Sequence, residues 1–286
     1  MLKRVDRLQV VVPDRDQAAA PWASVLGAER EGEDRVHCLG AMRSTWRLGT
    51  GRVEFLSPDG TGMVQDALAA RGAHLFAAGF STDRLGALTK HLEELGIEPA
   101  LEAGQAFLGA GQTGGFGMQV VISLDEELEP VGAIDTFYEA TLLVHDVPTR
   151  VAQCAGIFDL DTDNFVPIRS AEYGYEGVLT LFRAGQLHRF EMITPTDPQK
   201  TMGRYFARFG ECYYMAFGES GELPAIEERL KADGLGHTVV PSNRPGGRVA
   251  DTIFLHPRTL GGMMLGISRR TMAWQWSGRP DEVEAP

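Results

Sequence analysis

The sequence repeats itself, and this repetition constrains the possible fold more than any other feature. Residues 8–14 (Leu-Gln-Val-Val-Val-Pro-Asp) and 140–146 (Ala-Thr-Leu-Leu-Val-His-Asp) both read as a β-strand that ends in a Val-x-Asp turn. A helix-prone stretch follows each turn, and Asp14 and Asp146 suit the N-cap of a helix because their side chains can accept free backbone N–H groups. Both segments close on a similar strand, at residues 53–58 and 190–195.

A second unit recurs at residues 72–78 and 210–216. Its helix positions match at a constant offset: Leu88, Leu92, Leu95 and Gly96 in one copy, and Ile226, Leu230, Asp233 and Gly234 in the other. The leucines fall at helical spacing, and a glycine at this place is a natural helix C-cap. Residues 117–123 and 262–268 close the two copies with a similar strand.

Each unit therefore reads as strand, helix and then three strands. The four units lie at residues 3–58, 72–125, 134–197 and 210–270. One unit alone leaves a face of its sheet exposed, whereas two can bury these faces together. The sequence predicts an α+β fold of four βαβββ modules that pair into two domains, 1–125 and 134–270, with a linker at 125–130.

A tail, 271–286, follows the second domain. We expect Trp274 and Trp276 to pack on a domain and residues 280–286 to be disordered.

Composition narrows the function. The 286 residues include 39 acidic and 27 basic ones, which gives a net charge of −12. Nucleic acids and anionic membrane surfaces attract basic proteins, so neither is an expected partner. The chain shows no secretory signal, no membrane-spanning stretch and no disulfide framework among its three cysteines. We expect a cytoplasmic protein, with a homodimer compatible with the sequence, that binds a small molecule.

Three motifs point to a family. They are the Val-x-Asp turns, the Leu26-Gly27 break and the segment His256-Pro-Arg-Thr-Leu-Gly-Gly262 before the last strand. Over nearly its whole length the chain resembles the vicinal oxygen chelate superfamily, which includes glyoxalase I, methylmalonyl-CoA epimerase, extradiol dioxygenases and bleomycin-resistance proteins. The resemblance implies glyoxalase-like domains in which paired modules form a cup. In the family, His, Gln and Glu side chains hold a divalent metal at the floor of the cup.

The resemblance also implies which residues stand at the ligand positions of the N-terminal half. The first-strand position holds Arg7, and the carboxylate position holds Glu54. Arginine is cationic and cannot ligate a metal. We therefore predict an Arg7–Glu54 ion pair in a structural or vestigial half, with binding of a substrate anion by these residues as the alternative.

In the C-terminal half the same positions hold Glu139 and Glu191, followed by Tyr213 or Tyr214 and then Gly266. Two facing carboxylates repel, so one of them can stay protonated and supply an acid beside a base. The tyrosines are candidates to orient a substrate oxygen, and Gly266 is expected to leave room for substrate. The alternative is that Glu191 pairs locally with its neighbours.

Three functions remain open. The first is a cofactor-free enzyme of small-molecule metabolism with isomerase- or lyase-like proton transfer, in which Glu139, Glu191, Tyr213 and Tyr214 act on a substrate that also contacts His188 and His256. The second is a divergent extradiol-type dioxygenase with a divalent metal, in which His188 or His256 replaces a missing ligand. The third is a non-catalytic, resistance-type binding protein. Its groove would be lined by Trp22, Trp46, Trp274, Trp276, Tyr213 and Tyr214.

Overall fold

The computed structural model describes residues 1–114, 118–242 and 250–284, and it contains all four predicted βαβββ modules. The first module consists of β1 (Arg4–Val11), α1 (Arg15–Leu26), β2 (Glu29–Val36), β3 (Ala41–Leu48) and β4 (Gly51–Pro58). A helix that the repeat did not predict, α2 (Met63–Arg71), leads to the second module. This module consists of β5 (His74–Thr82), α3 (Leu85–Glu94), β6 (Ala100–Glu102), β7 (Gln105–Leu108) and β8 (Gln119–Leu124).

The second half of the chain repeats this order. The third module consists of β9 (Thr136–Leu143), α4 (Val147–Phe158), β10 (Phe165–Ser170), β11 (Tyr175–Leu181) and β12 (Arg189–Pro195). Helix α5 (Thr201–Phe209) leads to the fourth module, which consists of β13 (Cys212–Ser220), α6 (Leu223–Ala232), β14 (His237–Pro241), β15 (Ala250–Leu255) and β16 (Met264–Arg269).

The strands form two eight-stranded sheets, in the orders β2-β3-β4-β1-β5-β8-β7-β6 and β10-β11-β12-β9-β13-β16-β15-β14. In every module the first strand pairs in parallel with the last strand. The middle strands pair antiparallel with their neighbours. The predicted α+β class and the four modules are confirmed. The division into two domains at residues 125–134 stays a prediction.

Contacts group the chain into two compact units. One contains residues 1–5, 77–126 and 139–214. Its core includes a cluster of phenylalanines, in which the rings of Phe80 and Phe190 lie 4.4 Å apart and those of Phe158 and Phe190 are stacked. The other unit contains residues 6–76, 127–138 and 215–286. There the buried ring of Trp22 packs edge-on against Phe55.

The helix ends follow the sequence signals. Asp14 accepts a hydrogen bond from the backbone N–H of Gln17, and Asp146 accepts one from that of Thr149. Both predicted N-caps are confirmed. Gly96 adopts a φ of 74° just beyond α3, which is the left-handed conformation that favours glycine after a helix.

The tail is more ordered than expected. Met272–Gln275 and Pro280–Glu282 form short 3₁₀ turns, and the Arg279 guanidinium lies over the Trp274 ring at 5.3 Å. The backbone N–H of Glu284 donates to the Thr271 hydroxyl at 2.9 Å. These contacts contradict the prediction of disorder for residues 280–284, while 285–286 lie outside the described residues.

No helix in the described part of the chain is long and apolar enough to cross a membrane.

Candidate functional site

The first of two buried charge clusters lies on the parallel strands β1 and β4. The strand register places Gln9 opposite Glu54. Arg7 Nη1 donates to Glu54 Oε1 at 2.8 Å, and Gln9 Nε2 donates to Glu54 Oε2 at 2.7 Å. Arg7 is 6% exposed and Glu54 1%. The predicted Arg7–Glu54 ion pair is therefore confirmed.

Further charges close this cluster. Asp6 lies 2.9 Å from Arg7 Nη2, and Arg43 Nη1 lies 3.3 Å from Glu54 Oε1. Burial by itself raises the pKa of Glu54, but the charges of Arg7 and Arg43 bring it below its usual value. Burial opposes the charge of Arg7, yet Asp6 and Glu54 raise the pKa of its guanidinium. The cluster is a network of ionised groups that compensate one another.

The second cluster lies on β9 and β12. The register places Glu139 opposite Arg189 and Thr141 opposite Glu191. Arg189 Nε donates to Glu139 Oε2 at 2.7 Å, and neither residue is more than 2% exposed. The Thr141 hydroxyl oxygen lies 2.7 Å from Glu191 Oε2 and 3.2 Å from Glu139 Oε1. Two carboxyl groups therefore meet at one hydroxyl.

Glu191 is the member of this cluster that favours its protonated form. Burial raises its pKa well above the usual value, and the charge of Glu139 raises it further, against the opposing effects of Thr141 and Arg189. Burial and then the charges of Glu191 and Glu139 also raise the pKa of Tyr175 on β11. A glutamate with a raised pKa thus lies beside a glutamate that is ion-paired with arginine.

The two clusters occupy the same place in their modules. Glu54 follows the register partner of Arg7 by two residues, and Glu191 follows the register partner of Glu139 by two residues. Side chains alternate along a strand with period two, so Glu54 and Glu191 are equivalent positions on equivalent faces. Their protonation preferences are nevertheless opposite.

Two neighbouring positions explain this difference. Where the first module has Arg7, the third has Glu139. Arg43 lies opposite the residue that follows Glu54 by two in β4, and Gly177 lies opposite the residue that follows Glu191 by two in β12. Gly177 is therefore the position in the third module that is equivalent to Arg43. The third module therefore has an anion, Glu139, in place of the cation Arg7, and it has an uncharged glycine in place of the cation Arg43.

The tyrosines singled out from the sequence make other contacts. The Tyr213 hydroxyl donates to the backbone carbonyl of Gln119 at 3.0 Å, and Tyr213 is 2% exposed. The Tyr214 ring packs edge-on against that of Tyr205, with centroids 5.1 Å apart. The phenol on which both glutamates act electrostatically is Tyr175.

The two candidate histidines, His188 and His256, make hydrogen bonds with other residues of the chain. His188 Nδ1 accepts a hydrogen bond from the backbone N–H of Val5 at 3.3 Å. His256 Nε2 lies 2.8 Å from the Thr238 hydroxyl, which joins the end of β15 to β14. Substrate contacts of these residues stay predictions.

Two expectations about open space are wrong. A Cβ atom on Gly266 would stand 2.3 Å from the Phe217 ring, which fills the place expected to receive substrate. The Phe217 ring is held edge-on by Phe254 at 5.8 Å. Trp22, proposed to line a binding groove, has no exposed surface because it belongs to the core.

The described residues do not fit the divalent metal that the fold family implies. At the first-strand position, one copy offers a guanidinium and the other offers Glu139, whose carboxylate is held by Arg189. No group of three or more His, Cys, Asp or Glu side chains in the described ranges is arranged to hold a metal ion.

Sequence reasoning missed Thr141 and Tyr175 as members of the cluster, and it considered Arg189 only as a local partner of Glu191, whereas Arg189 pairs with Glu139. Thr141 follows Glu139 by two residues, and Arg189 precedes Glu191 by two. Strand periodicity places such residues on one face, so the sequence does carry a signal for them. Tyr175 had no comparable signal, because the antiparallel register that brings its strand beside β12 cannot be read from local sequence spacing.

Comparison by sequence matches no protein-family model and no curated protein. Comparison by structure gives two extensive similarities. One is to a variant of 4-hydroxymandelate synthase from Streptomyces coelicolor, with a TM-score of 0.73 and 11% identity, over 95% of this chain and 93% of that one. The other is to a xylose isomerase-like TIM barrel/4-hydroxyphenylpyruvate dioxygenase fusion protein, with a TM-score of 0.64 and 12% identity, over 95% of this chain and 49% of that one.

Identities this low show the fold alone. The fold is that of the vicinal oxygen chelate proteins, as the sequence motifs predicted. The reaction has to be argued from the charge clusters.

Proposed function

We propose that this chain is an enzyme of small-molecule metabolism that uses Glu139 and Glu191 for isomerase- or lyase-like proton transfer. The observation that carries the proposal is the unequal pair itself. Glu139 is ion-paired with Arg189 at 2.7 Å, whereas burial and the charge of Glu139 raise the pKa of Glu191. Such a pair supplies a base and an acid at one pH.

The roles follow from these states. Glu139 accepts a proton from a carbon atom next to a carbonyl group, and Glu191 donates one to the product. Glu191 has 7% of its surface exposed against 2% for Glu139, so Glu191 is the more accessible of the two. Tyr175, half-buried beside the pair, donates a hydrogen bond to the substrate oxygen on which negative charge develops.

Proton exchange with solvent tests this proposal across several classes of candidate substrate at once. The purified protein is incubated in D₂O with small 2-oxo acids, aryl-substituted 2-oxo acids and acyl thioesters, and loss of the α-proton signal is followed by NMR. With a substrate found, Glu191→Gln and Glu139→Gln should each lower the exchange rate by about 10²–10⁴. Full exchange in both variants would refute the acid–base roles.

The fold should survive both substitutions. Glu191→Gln leaves the Glu139–Arg189 pair intact. Glu139→Gln removes the carboxylate whose charge keeps Glu191 protonated, so Glu191 can ionise and compensate Arg189 instead. Circular dichroism of the two variants checks this, and Thr180→Val serves as a buried control in the same sheet.

A second candidate is an oxygenase. It is favoured by the structural similarity to the 4-hydroxyphenylpyruvate dioxygenase fusion protein over 95% of this chain. Metal analysis and oxygen uptake with the same compounds separate the two proposals. A tightly bound stoichiometric metal that is required for oxygen uptake would favour the oxygenase, whereas exchange that persists in the presence of chelator would favour proton transfer.

A further inference from the structure

The Thr141 hydroxyl has two carboxyl partners but only one proton to donate. Its oxygen lies 2.7 Å from Glu191 Oε2 and 3.2 Å from Glu139 Oε1, and Thr141 has no exposed surface. A hydroxyl group donates one hydrogen bond and accepts up to two. One O–H group can be shared between the two carboxyl oxygens, or a protonated carboxyl group can donate to the threonine oxygen while threonine donates to the other. In the second arrangement one carboxyl group supplies a proton to the threonine oxygen.

The surrounding charges determine which carboxyl group supplies it. Arg189 donates to Glu139 at 2.7 Å, so its guanidinium compensates a negative charge on that group. Burial, and then the charge of Glu139, raise the pKa of Glu191. When Glu191 carries the proton, Thr141 accepts a hydrogen bond from Glu191 and donates one to Glu139. The distance of 2.7 Å on the Glu191 side is typical of an O–H···O hydrogen bond.

We propose that Thr141 relays a proton between Glu191 and Glu139. In this step the O–H bond of Glu191 breaks as a new one forms on Thr141 Oγ1. The original hydroxyl proton of Thr141 passes at the same time to Glu139 Oε1. Threonine gains one proton and loses one, and the net charge of the cluster does not change. The ion pair with Arg189 favours return to the starting state.

The use of this relay in turnover rests on the proposed function. When Glu139 has taken a proton from substrate and Glu191 has given one to product, the two residues have exchanged roles. A relay through Thr141 carries the proton from Glu139 back to Glu191 and restores the starting state. Because Glu139 and Thr141 are buried, this route does not require water to reach either group.

The first module provides a contrast within the same chain. At the position of Thr141 it has Gln9, whose amide donates to Glu54 Oε2 at 2.7 Å. An amide N–H does not pass its proton on, and Arg7 stands where the proton acceptor would be. The geometry therefore confines the relay to the third module.

Infrared spectroscopy tests the relay without a substrate, because the carbonyl band of a protonated carboxylic acid is separate from carboxylate bands. Glu191→Gln, which should abolish the band, assigns it. Thr141→Val should shift the band to higher frequency, because the acid then loses its hydrogen-bond acceptor. Thr141→Ser, which keeps a hydroxyl, should restore the wild-type position. Thr180→Val removes an equally buried hydroxyl that donates to the Phe190 carbonyl, and it should leave the band unchanged.

An unshifted band in Thr141→Val would overturn the proposal, as would a Thr141→Ser protein that resembles Thr141→Val. If the exchange assay yields a substrate, Thr141→Val should complete a first turnover and then slow by about tenfold or more. Equal rates in the first and later turnovers would also refute the relay. A shifted band in a protein without exchange activity would support the shared proton and refute only the proposed function.

Discussion

Replacement of Arg189 by methionine should destabilise the protein strongly and in a pH-dependent way. The substitution leaves Glu139, 2% exposed, without the guanidinium that donates to it at 2.7 Å. The carboxylate must then stay charged in a buried place or take up a proton. Protonation of an ordinary glutamate near pH 7 costs about 3 to 4 kcal/mol. Breaking a buried ion pair typically costs about 3 to 5 kcal/mol, so the two arguments agree.

Urea unfolding followed by circular dichroism measures this loss. The loss in free energy of unfolding comes from the proton that Glu139 must bind in the folded variant. This loss should therefore decrease by about 1.4 kcal/mol for each pH unit below neutrality. Glu139→Gln in the Arg189→Met background should recover most of the lost stability. Arg52→Met is the matched control, because Arg52 holds the equivalent register position and pairs with the partly exposed Glu31. That control should cost at most about 1 kcal/mol. A loss below about 1 kcal/mol for Arg189→Met, or one that does not vary with pH, would refute the assignment.

Two other stability effects can be measured in the same way. Burial lowers the pKa of His74 to about 4 from 6.5, so the folded state resists protonation. The free energy of unfolding therefore carries no penalty from His74 above the usual pKa, and it decreases as the pH falls towards about 4, because the unfolded chain binds the proton first. Between neutral pH and about pH 4.5, the free energy of unfolding of His74→Phe should fall by about 2 to 3 kcal/mol less than that of the wild type. Equal decreases in the two proteins would refute this. Gly177→Ala should destabilise by about 1 to 3 kcal/mol, because its Cβ would stand 2.1 Å from the Met192 carbonyl oxygen. Gly156→Ala in α4, where nothing lies within 4 Å, should instead stabilise by about 0.5 to 1 kcal/mol, and a Gly177→Ala protein as stable as this control would contradict the clash.

The architecture was predictable because the same local sequence signals occur in both halves of the chain. Asp14 and Asp146 cap their helices, and the strand repeats give four modules within a few residues of their observed limits. The Arg7–Glu54 pair was predictable because the family resemblance places both residues at converging ligand positions, and each charge is costly to bury alone.

The rest of the candidate site depended on distances that the sequence does not contain. Tyr175 and Gly177 are brought beside β12 by the register of an antiparallel strand, which no local pattern specified. The expected vacancy at Gly266 failed because the Phe217 ring, on the paired strand, turns into that space. Absence of a side chain at one position says nothing about the size of its neighbours.

The equivalence of Glu54 and Glu191 has a consequence for how such a chain diversifies. An internally duplicated protein can hold one copy of a carboxyl group with a lowered pKa and the other with a raised pKa, on the same pattern of paired strands. Three of the exchanges between aligned positions change the charge or hydrogen bonding around this carboxyl group: Arg7 against Glu139, Gln9 against Thr141, and Arg43 against Gly177. In the first module two cations and an amide surround the equivalent carboxylate. A few substitutions there would change the pKa of Glu54 while the pairing of the strands stays the same.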